Sequence, residues 1–259
     1  MTLRATLVQA ELHWQDPVAN LRQFDARFDS MERGSTDLVV LPEMFTTGFS
    51  MAPTALAETV PGPTAEWLLD RAQRLDAAVT GSVMSRIPGG FVNRLWFATP
   101  AGVLHHYDKR HLFRMAGEHE HYIAGNHPLV VEFRGWRIAP LVCYDLRFPV
   151  WSRRRPGFDY DLLLYVANWP AGRAYAWRQL LIARAIENQS HVIGVNRVGA
   201  DGNGVSHDGD SVVHDYLGTP QLTLGKIAGA AQATLDGDGQ QEFRERFPAA
   251  LDADRFLLD

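Results

Sequence analysis

Asp37-Leu-Val-Val-Leu41 is a short apolar run after its opening aspartate, and it stops abruptly at Pro42-Glu43. A run this short reads as a buried strand, because it is too brief for a helix and has no polar face to offer solvent. The rest of the chain must supply partners for it. Leu3 to Gln9, Ala78 to Ser85, Phe91 to Thr99 and Val103 to Tyr107 read as further strands, with turns at Pro88-Gly89-Gly90 and Pro100-Ala101-Gly102. Leu129 to Phe133 and Trp136 to Val142 form a hairpin around Arg134-Gly135, and Leu162 to Val166 and His191 to Asn196 are two more strands. Gly209 to His214 and Ile227 to Leu235 complete the set, with a turn at Asp201-Gly-Asn-Gly204.

Helices fall between them. From Pro17 to Glu32, the residues Leu21, Phe24, Phe28 and Met31 share one face, with Asp16 as N-cap and Pro17 in the first turn. Pro63 to Leu75 and Ala174 to Asn188 are helices, Asp108 to Pro128 is a long polar loop, and Asp238 to Asp259 is a polar helix with a tail. Strands that alternate with helices in one part and with strands in another predict an α/β fold. The expected form is two sheets packed face to face with helices outside, in four layers. No linker or fixed-period repeat divides the 259 residues, so one domain over 1–259 is expected.

Composition narrows the function. A hydrophobic share of 46% and a net charge of −5 without a basic run give no reason to expect nucleic acid. No apolar stretch approaches the ~20 residues that span a bilayer. The start, MTLRATLVQAELHW, lacks an apolar signal region, and the lone cysteine cannot make an internal disulfide; a cytoplasmic protein is expected.

Three polar residues each follow an apolar run, and groups at the carboxyl ends of strands are where sites collect in α/β folds. They are Glu43, Lys109 in Tyr107-Asp-Lys109-Arg-His-Leu-Phe113, and Cys143 in Leu141-Val-Cys143-Tyr-Asp-Leu-Arg-Phe-Pro149. Each has a plainer reading: a surface glutamate, a solvated charged turn, a small buried hydrophobe. Together they form a chemically complete set. A thiol attacks a carbonyl-like carbon, a carboxylate takes the thiol proton and later activates water, and an ammonium steadies the oxyanion. Cys143 is expected at a strand-to-helix elbow, where a helix N-terminus and a lysine would lower its pKa.

Leu41-Pro-Glu43-Met-Phe, the Lys109 block, the Cys143 block and Ala167-Asn168-Trp169-Pro170, followed by Trp177 and Ala183-Arg-Ala-Ile-Glu-Asn188, resemble the signature blocks of the nitrilase superfamily. They stand in the family's order and cover nearly the whole chain. The resemblance implies a four-layer αββα sandwich that pairs into an eight-layer dimer, and no cofactor. It implies Glu43 as general base, Lys109 and the Tyr144 backbone N–H as oxyanion donors, and Cys143 as the nucleophile that forms a thioester. It also implies a second glutamate in the loop. Glu118 and Glu120 compete for that place, and the resemblance favours Glu118, because in relatives this glutamate often stands seven residues before a glycine, as Glu118 does before Gly125.

The Cys-Tyr-Asp-Leu-Arg-Phe-Pro string looks like the amidase branch, and the other blocks are similar to small bacterial ω-amidases. Those release ammonia from α-keto acid ω-amides such as 2-oxoglutaramate and 2-oxosuccinamate. A substrate carboxylate then calls for a cation, with Arg173 the first candidate and Arg147 the second, while Phe113, Tyr144 and Trp169 are candidate walls. Alternatives on the same fold are a nitrilase and an N-carbamoyl amino acid hydrolase. His105, His106, His111, His119, His121 and His127 crowd one span, but no H-x-x-x-H pair on a predicted helix appears, so no metal site is expected.

Overall fold

A computed structural model describes residues 1–258. Two sheets carry the chain. The first runs in the order Gly229–Asp236, Thr2–Gln9, Leu38–Val40, Ala78–Ile87, Gly90–Ala98 and Leu104–Asp108, with Glu58–Thr59 paired to the far end of Ala78–Ile87. The second runs Pro220–Thr223, Val212–His214, His191–Asn196, Leu162–Ala167, Trp136–Val142 and Val131–Phe133. Each has three parallel strands at its centre and antiparallel strands on both sides.

That topology positions the site. Parallel strands bring their carboxyl ends to one edge. Glu43 follows Leu38–Val40, Cys143 follows Trp136–Val142, and Asn168 follows Leu162–Ala167. Leu104–Asp108 is antiparallel to Gly90–Ala98, which is itself antiparallel to Ala78–Ile87. Lys109 therefore emerges at the same edge as Glu43.

Alternation along the strands sends side chains to opposite faces. Val8, Val39 and Val79 pack on Phe24 and Phe28 of the Pro17–Asp29 helix and on Ala65, Leu68 and Ala72 of the Pro63–Leu75 helix. Leu7, Leu38, Val40 and Phe97 join a second core with Ile138, Leu162 and Leu164 of the other sheet. Trp177, Leu181 and Ala185 of the Ala174–Asn188 helix belong to this core too. Gly194 lets that helix come close, since a Cβ there would lie 2.6 Å from Leu181. The result is the expected αββα sandwich.

Local chemistry explains the boundaries. Asp16 caps the first helix, accepting from the Ala19 N–H at 3.0 Å, with Pro17 in its first turn. The helices Pro63–Leu75 and Ala174–Asn188 have the predicted ends. The loop after Lys109 differs from expectation: it contains a 3₁₀ turn, Arg114–Ala116, and a helical turn, Glu118–His121. The predicted Gly209–His214 strand shrinks to Val212–His214, because Gly209 and Asp210 both take positive φ and turn the backbone. A separate two-stranded ribbon, Val198–Ala200 with Ser206–Asp208, and the strand Pro220–Thr223 carry no clear sequence pattern.

Candidate active site

The strand Trp136–Val142 ends at Cys143, whose φ of 45° turns the chain sharply. A non-glycine residue in this region is strained, and such strain collects at functional sites. The elbow is held from both sides. Asp145 accepts the Val142 N–H at 3.0 Å, and Arg184 on the outer helix donates to the Leu146 carbonyl at 2.7 Å. Cys143 opens a five-residue 3₁₀ segment, Cys143–Arg147. Tyr144 lies in its first turn, where a backbone N–H has no carbonyl to pair with inside the helix.

Lys109 is placed by its own loop. Its N–H donates to the Asn93 carbonyl at 3.0 Å, and its carbonyl accepts the Gly125 N–H at 2.9 Å. A Cβ at Gly125 would lie 2.1 Å from the Asp108 oxygen, so only glycine closes the loop here. The closed loop turns Glu118 inward and leaves Glu120 exposed.

Four predicted polar residues meet at this edge, all buried. The Lys109 ammonium donates to Glu43 Oε1 at 2.9 Å and to both oxygens of Glu118 at 2.9 and 3.0 Å. Glu43 also accepts from Asn93 Nδ2 at 2.8 Å and from the Asn168 N–H at 2.8 Å. Asn168 Nδ2 donates to the Glu43 backbone carbonyl at 2.6 Å. The Cys143 thiol lies within electrostatic reach of the Glu43 and Lys109 side chains. Desolvating this many charges is costly unless they are paired, and here each one is.

The electrostatics correct one expectation. Burial, together with the negative charge of Glu43, pushes the Cys143 thiol well above its ordinary value, against the opposing pull of Lys109. The predicted lowering fails for a physical reason. Two carboxylates already neutralise Lys109, and a short 3₁₀ turn offers little dipole. That upward direction favours a neutral resting thiol, next to the Glu43 carboxylate. Burial by itself would lower Lys109, but Glu118 and Glu43 outweigh it and keep the ammonium protonated. Burial raises Glu118, while Lys109 pulls it back down.

A cavity of about 330 Å³ opens on Cys143 and Lys109. Phe113, Tyr144, Trp169, Arg147 and Arg173 all line it, so the predicted walls and both predicted cations share one space. Phe113 and Tyr144 meet edge to face with centroids 5.0 Å apart. Arg147 lies over the Trp169 ring at 5.1 Å and Arg173 over the Phe113 ring at 5.3 Å. Among the described residues neither guanidinium has a carboxylate partner. Sequence reasoning missed Asn93, which is buried in mid-strand, and gave Asp145 and His111 no role. No three His, Cys, Asp or Glu side chains among the described residues form a group suited to a metal; His111 instead bonds Asp145 and stacks on Phe148 at 3.7 Å.

Comparison with known proteins agrees with this geometry. The family model described as carbon–nitrogen hydrolase matches residues 4–245. The chain is 54% identical to the omega-amidase YafV of Yersinia enterocolitica, with 99% of each chain covered. It is 32% identical to the 2-oxoglutaramate amidase of Bacillus subtilis over 93% of each. The crystal structure of XC1258 from Xanthomonas campestris, a CN-hydrolase superfamily protein with an arsenic adduct in its active site, superposes with a TM-score of 0.97 at 50% identity and full coverage of both chains. The chain belongs to the carbon–nitrogen hydrolase family, within the nitrilase superfamily.

Proposed function

We propose that this protein is a cofactor-free ω-amidase that releases ammonia from the terminal amide of small α-keto acid ω-amides, such as 2-oxoglutaramate and 2-oxosuccinamate. The observation that carries the reading is one cavity lined both by the Cys143–Lys109 pair and by two guanidiniums without carboxylate partners. An amide with a remote carboxylate matches that division. The relatives named for omega-amidase and 2-oxoglutaramate amidase activity support the same substrate class.

The chemistry follows from the contacts. Cys143 sulfur attacks the carboxamide carbon as its proton passes to Glu43. The oxyanion rests on the Lys109 ammonium and the Tyr144 N–H. The C–N bond breaks, Glu43 returns the proton to the departing nitrogen, and ammonia leaves a thioester on Cys143. Water then adds to the thioester, giving its proton to Glu43, and the acid departs as the thiol is restored. Glu118 holds Lys109 in place. Phe113, Tyr144 and Trp169 wall the substrate chain, and Arg173 and Arg147 take its carboxylate.

The reading extends to the whole chain as one hydrolase domain, working as a homodimer in the cytoplasm on small molecules rather than nucleic acid. The outer helix Ala174–Asn188 leaves Tyr175 and Ile186 exposed, which suits pairing. No helix among the described residues is long and apolar enough to cross a membrane. The test is a comparison of product formation from 2-oxoglutaramate, an N-carbamoyl amino acid and a nitrile. Turnover of 2-oxoglutaramate is expected to exceed the other two by at least about a hundredfold, a gap of roughly 2.7 kcal/mol in transition-state binding. Equal or faster turnover of the nitrile or the carbamoyl compound would reassign the enzyme to that chemistry.

A further inference from the structure

Two carboxylates converge on a single ammonium in this site, leaving more acceptor atoms and more negative charge than Lys109 can satisfy. Asn93 meets the surplus. It is fully buried in the strand Gly90–Ala98, opposite Met84. Its Nδ2 donates to Glu43 Oε1 at 2.8 Å and lies 3.4 Å from Glu118 Oε1. Its backbone carbonyl holds the Lys109 N–H at 3.0 Å. One residue therefore touches Glu43, Glu118 and the Lys109 backbone.

The other end of the same amide is unsatisfied: Asn93 Oδ1 is buried without a hydrogen-bond partner. A buried orphan acceptor is unfavourable and asks for an explanation. Flipping the amide would turn an oxygen toward two carboxylates and lose both donor contacts. The carboxylates thus fix the orientation, and the idle oxygen is its consequence.

We propose that Asn93 is a positioning residue that sets Glu43 and Glu118 against Lys109 and keeps Glu43 free to exchange a proton with Cys143. The proposal rests on the thiol-hydrolase reading above. The residue type matters. A lysine or arginine here would bind Glu43 as a second ion pair and oppose its protonation. An aspartate would add a third carboxylate competing for the same protons. An amide donates a hydrogen bond, carries no charge and has no proton to give up. The titratable groups that face Glu43 are Lys109, Glu118 and Cys143, with Tyr122 beside Glu118.

The experiment is the pH dependence of Cys143 alkylation by iodoacetamide in the full-length protein, followed by mass spectrometry. Cys143 is the only cysteine, so each adduct reports on it alone. The assay needs no amide substrate, so it stands even if the substrate assignment fails. Asn93→Asp is expected to move the acidic limb of the alkylation profile upward by about one pH unit or more, with about a tenfold lower rate at the original midpoint. Asn93→Ala, which removes the donor without adding charge, moves the limb the same way by less. The acidic limb of kcat/KM for amide hydrolysis shifts in parallel. An unchanged midpoint in Asn93→Ala, with only a uniformly lower rate, would overturn the proposal. If Asn93→Asp does not fold, Asn93→Ala and Asn93→Ser decide between the same two outcomes.

Discussion

The Asp145 carboxylate accepts a hydrogen bond from the Tyr107 hydroxyl at 2.8 Å and so joins the ends of two strands from different sheets. Tyr107 precedes Lys109 by two residues, and Asp145 follows Cys143 by two. Asp145 also accepts the Val142 N–H at 3.0 Å, the His111 N–H at 3.0 Å and a contact from His111 Nδ1 at 2.7 Å. Trp151 Nε1 completes the network by donating to the Tyr107 oxygen at 3.0 Å. One buried carboxylate thereby fixes the distance between the Cys143 elbow and the Lys109 loop.

Replacing that carboxylate should cost both stability and rate. Asp145→Ala strands the Val142 N–H and the Tyr107 hydroxyl in a dry interior and leaves the half-buried His111 donors without their acceptor, a loss of about 3 kcal/mol for a network of this kind. Urea unfolding measures it. Activity in the folded fraction should fall by about a hundredfold, because an error of an ångström between Cys143 and Lys109 is enough for that. A variant with near-native kcat would show that the bridge is structural only.

Lys109→Met should make stability depend on pH in a defined direction. Burial raises Glu118, and the Lys109 ammonium now opposes that rise. Without the ammonium, the folded-state value moves further above that of the unfolded chain. A group raised on folding stabilises fully below its unfolded value, near 4.3 for a glutamate, and the stabilisation is lost as pH climbs toward the folded value. The variant's melting temperature should therefore be higher at pH 5 than at pH 8. Its neutral-pH stability should fall by about 3–5 kcal/mol, as for other buried pairs deprived of one partner. Thermal melts across that range check the slope, and a flat profile would argue against the pairing.

The sequence was most informative where polarity breaks. Glu43, Lys109 and Cys143 stand out because each ends a strand at the edge where parallel strands finish together. Glu118 is preferred over Glu120 only through the spacing to a glycine in relatives; in the structure that glycine, Gly125, closes the loop that turns Glu118 inward. Asn93 was invisible because a polar residue within Phe91-Val-Asn-Arg-Leu95 looks like the solvent side of an alternating strand. Its neighbour Arg94, which pairs with Asp108, strengthens that impression. The thiol's protonation was misread because a nearby lysine can be anticipated from its block, whereas two carboxylates sharing that lysine appear only when three strand ends converge.

Glu118 and Glu120 should respond very differently to the same change. Glu118→Gln keeps the shape of the side chain and an oxygen for the Phe113 N–H, but removes one of the two charges that hold Lys109. Charge-assisted hydrogen bonds are about twice as strong as neutral ones, so kcat/KM should drop by about a hundredfold. Glu120 is exposed, and its one ion-pair contact among the described residues is with His119, at 4.0 Å. Glu120→Gln should leave kcat/KM within about twofold, since an exposed pair contributes at most about 1 kcal/mol. Steady-state kinetics on both variants decide it, and equal losses would remove the distinction between them.

Arg147 and Arg173 are pre-oriented by the rings they cover, and that makes their contribution specific. A guanidinium held over Trp169 or Phe113 loses less freedom when it binds a carboxylate, and its fork can offer two donors. Arg173→Ala should therefore reduce kcat/KM for 2-oxoglutaramate by about 10–100-fold, the range of a charge-assisted hydrogen bond at about 1.5–3 kcal/mol. A short neutral amide such as butyramide should be unaffected, because it has nothing at that end of the cavity. Arg147→Ala should show the same selectivity if the two cations share the carboxylate. Arg173→Lys should recover only part of the loss, since an ammonium supplies the charge but neither the stacking nor the fork. If each substitution lowered both substrates equally, the arginines would be wall supports and the carboxylate would have to be bound elsewhere.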